Sequence, residues 1–129
     1  MPPTSVKRGD IFYAEFPEDE SLGSEQHGRR PCAVMSANLL NDRLNVAIVV
    51  PLSTVVTKAN RQYRILIPEN QKLSEPGTAG CPGESVALCE QVRIISKARM
   101  DSVRVAHLTA VAIGSIEAGL AYVLNIGVG

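Results

Sequence analysis

Tryptophan is absent from this chain, and aromatic residues make up only 4% of its 129 residues. Single-strand nucleic-acid binders stack bases on aromatic rings, each worth roughly 1–3 kcal/mol, so a stacking platform has few residues to draw on. Phe12 and Phe16 are expected in the core, which leaves Tyr13, Tyr63 and Tyr122, each equally suited to packing. Histidine is scarce too. His27 and His107 stand far apart, and no Cys/His set has metal-ligand spacing, so neither metal nor cofactor is expected. Net charge is missing: 13 basic residues balance 13 acidic ones. That excludes a generally basic nucleic-acid binder and requires any anion site to be local, with basic groups gathered from different segments. No run of about 18 apolar residues exists, so no membrane-spanning helix is expected. The opening "MPPTSVKRGD" is no signal peptide, because no apolar stretch follows its basic pair. Three cysteines (Cys32, Cys81 and Cys89) without a secretory signal predict reduced thiols and a cytoplasmic location. Cys32 and Cys89 sit inside apolar runs and read as small hydrophobes; Cys81, in "GCPG", reads as a loop residue.

What is present suits one domain spanning residues 1–129, with 45% hydrophobic residues and enough chain to bury a single core. "DIFYAEF" (10–16) alternates, with Phe12, Ala14 and Phe16 on one face, and reads as a strand. Residues 17–30 form a long polar loop. "PCAVMS" (31–36) is a second strand, with Pro31 at its first position, where a missing N–H costs least. Residues 38–45 connect to a buried strand, "VAIVVPL" (46–52); 53–61 is a loop and "QYRILIP" (62–68) a fourth strand. Residues 69–84 are turn formers throughout. "SVALCEQVRII" (85–95) reads as one long strand interrupted by a polar "EQ". Thr109 can cap a helix over 110–124 whose stripe is Ala112, Ile116, Leu120 and Val123. Gly114 and Gly119 each weaken that helix by about 1 kcal/mol. Five strands and a helix predict a small, bent antiparallel sheet or partial barrel, partly covered by the helix.

Three stretches could do chemistry. In "GSEQHGRRP" (23–31), Arg30 carries a permanent fork-shaped charge that matches phosphate oxygens, and Pro31 restricts it to an extended backbone. The same residue suits a surface ion pair equally well. In "PLST", Ser53 and Thr54 end a buried strand, where a hydroxyl either binds phosphate or closes a turn. In "CEQVR", Glu90 and Gln91 interrupt an apolar run, where a carboxylate must be paired or face solvent.

"KRGDIFYAEF", "GSEQHGRRP", a buried run ending "VVPLST" and "LCEQVRIISKARM" occur in this order. This series resembles the MazF/PemK family of toxin endoribonucleases from bacterial toxin–antitoxin pairs, over residues 7–100 and, in outline, the terminal helix. The resemblance implies a mainly β fold, a small SH3-like antiparallel β-barrel with a C-terminal helix, assembled as a homodimer. It implies metal-independent, sequence-selective cleavage of single-stranded RNA, commonly mRNA. The substrate's 2′-OH attacks the adjacent phosphate and leaves 2′,3′-cyclic phosphate and 5′-OH ends. A MazE-like antitoxin is the implied inhibitor, with any DNA binding supplied only through it, and no membrane partner. Carried over by position, Arg30 is the principal catalytic residue, Ser53 stands where the family usually has threonine, and Glu25 supports the site. Ser24, Gln26, Thr54, Glu90 and Gln91 fall at positions implied to touch RNA or shape the loop. One branch of the family uses an arginine and an aspartate around the last strand; this chain has Leu88 and Glu90 there. Two rivals share the fold or its outline: a CcdB-like toxin that binds gyrase without catalysis, and an inactive SH3-like binding module.

Overall fold

The computed structural model describes residues 1–17 and 28–127. Its strands are β1 (Asp10–Phe16), β2 (Gly28–Val34), β3 (Val46–Ser53), β4 (Arg64–Ile67), β5 (Lys72–Ser74), β6 (Ser85–Leu88), β7 (Arg93–Ser96) and β8 (Ala106–Leu108). Two α-helices, α1 (Asn38–Arg43) and α2 (Ala110–Leu124), accompany them. The strand order is β4-β6-β3-β2-β1-β8-β5, with β7 also paired to β3, and each pairing is antiparallel. The result is the expected mainly β, nearly closed barrel with a C-terminal helix. Among the described residues no helix is long and apolar enough to cross a membrane.

Strand β1 carries the centre of the molecule because both of its faces are covered. Ile11 packs with Ala33, Val50, Leu52 and Ala106 beneath Ala112 and Ile116 of α2. Phe12, Ala14 and Phe16 pack on the opposite side with Cys32, Val34, Val49 and Ile95. The alternation of Phe12, Ala14 and Phe16 therefore holds, but Ile11 is fully buried on the other face as well. Cys32 and Cys89 lie in these cores, and burial pushes both thiols up to about 12. Neither carries thiolate at neutral pH, so both resist iodoacetamide in the native protein and label once it is unfolded, as mass spectrometry will read. Cys81 is buried too, although it lies in a loop.

Several elements differ from their sequence reading. Strand β2 starts at Gly28 instead of residue 31, because Gly28, Arg29 and Arg30 pair with Phe16, Glu15 and Ala14. Pro31 does not open the strand; it lies within it, opposite Tyr13, just before pairing with β3 begins at Cys32. The missing N–H thus leaves no gap in the β3 ladder. The long strand read over 85–95 is broken into β6 and β7 by a 3-10 turn at Cys89–Gln91. Two neighbours set that break. Strand β6 pairs with the end of β3 at Leu52 and Ser53, whereas β7 pairs with its beginning, from Val46 to Val49. The chain must step from one half of the sheet to the other, and the polar "EQ" lies at the step. The connection at 38–45 contains α1, and the turn-rich 69–84 contains β5.

Helix α2 has the expected bounds. Thr109 Oγ1 accepts the Ala112 N–H at 3.3 Å, which caps its start. Its last residue is followed by Asn125 in the left-handed region, at φ 56°. Ala112 and Ile116 are buried, Leu120 and Val123 half-buried, and Gly119 is buried among them.

Candidate active site

The register of β2 and β3 brings the first two candidate stretches together. Cys32 pairs with Pro51, Ala33 with Val50 and Val34 with Val49. That pairing ends at Cys32 and Pro51; Arg30 and Ser53 lie two residues beyond it on their own strands, and Ser53 there pairs with Val86 of β6. Arg30, Pro31, Leu52, Ser53, Thr54, Val55 and Lys58 line one cleft of about 150 Å³ there. Arg30 and Thr54 are exposed, so the cleft opens to solvent.

Ser53 is buried, with 7% of its surface exposed, and its Oγ accepts the Val55 N–H at 3.1 Å. The hydroxyl therefore closes the turn after β3. Because a hydroxyl accepts and donates, the same oxygen keeps a proton to give a ligand. The turn leads into a 3-10 segment, Val56–Lys58, whose last residue sets a second cation beside the cleft. Sequence reading passed over Lys58. Its only signal was a basic residue five positions after Ser53, in the loop read over 53–61.

Strand alternation separates the two adjacent arginines. The Arg29 guanidinium lies 4.6 Å from the centre of the Tyr13 ring and is ion-paired with Asp101. These contacts account for Arg29 structurally. Tyr13 has its phenol pushed up by burial and by neighbouring Cys81, with Arg29 opposing, so it remains protonated at neutral pH.

Glu90 and Gln91 occupy the turn between β6 and β7 and do not line the Arg30 cleft. Arg64 Nε donates to Glu90 Oε2 at 2.6 Å, and this bond holds the Arg64 guanidinium above its ordinary range. The third stretch therefore contains a partly buried ion pair that ties β4 to the turn. Glu90 Oε1 is buried and has no hydrogen-bond partner among the described residues. Downstream, Arg93 of β7 lies 5.2 Å from the centre of the Phe16 ring. Ser24, Glu25, Gln26 and His27 lie outside the described residues. Among the described residues, no group of three or more His, Cys, Asp or Glu side chains is arranged to hold a metal ion.

Arg30, Ser53 and Lys58 thus share one local cleft on a barrel with no excess charge. Comparisons with known proteins bear on the family and the fold. Endoribonuclease EndoA of Bacillus subtilis is 32% identical over 103 residues, which is 80% of each chain. Among solved structures, the Mycobacterium tuberculosis toxin MazF-mt6 superposes with a TM-score of 0.69 at 13% identity, over 92% of this chain and 99% of that one. MazF from Deinococcus radiodurans gives 0.68 at 20% identity, over 94% and 97%. A mycobacterial endoribonuclease solved with its cognate antitoxin gives 0.68 at 16%, over 97% and 100%. The family model described as the PemK-like, MazF-like toxin of type II toxin–antitoxin systems matches residues 7–124, and the chain belongs to that family.

Proposed function

We propose that this protein is the toxin of a toxin–antitoxin pair and a sequence-selective, metal-independent endoribonuclease acting on single-stranded RNA, chiefly mRNA. The observation that carries the reading is the shared cleft of Arg30 and Ser53, with Lys58 beside them. A phosphodiester seated there meets fixed positive charge where the phosphorane's charge develops. The substrate supplies its own nucleophile: the 2′-oxygen bonds to phosphorus, the 5′-oxygen leaves, and the products are a 2′,3′-cyclic phosphate and a 5′-OH end. The protein's task is then orientation, charge and proton transfer. Arg30 stabilises the phosphorane and takes part in moving protons, Glu25 supports it, and Ser53 orients a phosphate oxygen. Thr54, Ser24, Gln26, Glu90 and Gln91 contact RNA or shape the path it follows. The active form is a homodimer, and a MazE-like antitoxin inhibits it by crossing the cleft.

The test is to incubate the purified protein with a long mixed RNA and sequence the fragment ends. We expect cuts at a recurrent short motif, each leaving a cyclic phosphate and a 5′-OH, at a rate unchanged by EDTA. Intact RNA would favour a gyrase-binding or passive module, and abolition by chelation would overturn the metal-free step.

A further inference from the structure

Outside the cleft, one buried cluster contains both an amine and a thiol. Lys72 of β5 is only 4% exposed, Cys81 6% and Ser85 1%. Lys72 Nζ donates to Ser85 Oγ at 2.7 Å and to Cys81 Sγ at 3.5 Å. A buried ammonium is costly unless its protons find acceptors; here a hydroxyl and a sulfur serve. The chain between the two reactive residues folds back on itself. A Cβ on Gly80 would lie 2.5 Å from Ser74 Oγ, so loop 75–84 sits directly against the end of β5. The Glu75 N–H bonds the Val105 carbonyl at 2.9 Å, and the Gly80 N–H bonds Thr78 Oγ1 at 3.1 Å. Cys81 is thereby held on Lys72 from one side while Ser85, at the start of β6, holds the amine from the other.

We infer that Lys72 and Cys81 form an oxidative modification site, at which a peroxide covalently joins Nζ to Sγ. In the first step the thiol takes one oxygen from the peroxide: the O–O bond breaks, sulfur is oxidised by two electrons to a sulfenic acid, and water leaves. In the second step Lys72 Nζ gives a proton to solvent and its lone pair attacks sulfur. The S–N bond forms, the S–O bond breaks, and the departing oxygen leaves as water with a second proton from nitrogen. This step involves no further oxidation. Sulfenic acids condense with nitrogen nucleophiles and thiols in this way, and a dithiol supplies the two electrons that reverse it. An amine lies within hydrogen-bond reach of the Cys81 sulfur. Cys89 differs: its sulfur contacts the carbonyls of Ala87 and Ile116.

The wild-type protein itself provides the test, whether or not it cleaves RNA. It is treated with hydrogen peroxide, unfolded, alkylated and digested with trypsin. We expect cleavage after Lys72 to disappear in step with alkylation of Cys81. In its place appears a peptide spanning residues 65–93 that carries an internal S–N link between Lys72 and Cys81. Dithiothreitol restores both cleavage and alkylation. Cys81→Ser abolishes the linked peptide and Cys89→Ser retains it. Continued cleavage after Lys72 overturns the inference, whether Cys81 has stayed a thiol, gone on to sulfinic acid or joined Cys89 in a disulfide. Fragment ions that place the link at Cys89 overturn it equally, so the result stands even where a variant fails to fold.

Discussion

Arg30→Ala is expected to remove RNA cleavage, with a loss of about 10²–10³-fold or more, the range seen when one preorganised charge or donor is taken from a transition-state site. The fold should survive. Arg30 is exposed on β2, outside both cores, and the strand pairing that carries it is backbone pairing with Ala14. The far-ultraviolet circular dichroism spectrum and Tm of the variant should therefore match wild type while its fragment yield collapses. Arg30→Lys is the informative intermediate. It keeps a charge at the cleft but loses the rigid two-pronged fork, so it should recover only part of the rate. Arg29→Ala is the control on the neighbouring position. Arg29 stacks on Tyr13 and pairs with Asp101 across the strand's other face, so its removal should cost little stability and leave cleavage largely intact. Equal rates for Arg30→Ala and wild type would sink the assignment of Arg30 to catalysis.

These neighbouring arginines also show what could be read from the sequence. The residue types and the Arg-Pro step pointed to Arg30, and the resemblance separated it from Arg29. The physical reason for the separation, strand alternation across β2, was hidden because the strand was read as starting at residue 31. Gly28 to Arg30 carry no apolar alternation; their strand state comes from pairing with β1, which is a tertiary effect. The partnership of Arg30 with Ser53 needed the β2–β3 register, a non-local quantity that strand boundaries alone do not supply. Helix α2 was legible because its signals are local: a capping threonine and a periodic stripe. Strands β5 and β8, at three residues each, are too short for periodicity to register. The break at Cys89–Gln91 was visible as a polar intrusion, but its meaning, a step between two halves of β3's ladder, was not.

Gly119→Leu should destabilise the fold by about 1–3 kcal/mol, the usual cost of overpacking a filled core, and lower Tm by roughly 4–10 °C. Gly114→Ala should raise stability by about 0.5–1 kcal/mol. Helix propensity alone treats both glycines alike, each a weak point that any larger residue improves. Their surroundings do not. A Cβ at Gly114 meets nothing within 4 Å, so only the entropy of the unfolded chain changes. A Cβ at Gly119 would lie 2.7 Å from Cys89 Sγ and 3.1 Å from Ile65 Cγ1. Cys89 cannot swing aside cheaply, because it is fully buried and opens the turn that carries Glu90 and Gln91. Gly119 is therefore the gap that lets α2 lie against this turn, and filling it displaces the Glu90–Arg64 pair along with the helix. A double-mutant cycle isolates the contact. Gly119→Ala and Cys89→Ala should each destabilise alone, the first by crowding and the second by leaving a void. Together they should cost less than their sum, because the new methyl enters the space the sulfur vacates. Strict additivity of the two, read from urea midpoints at constant slope, would show that the helix does not rest on the turn through this contact.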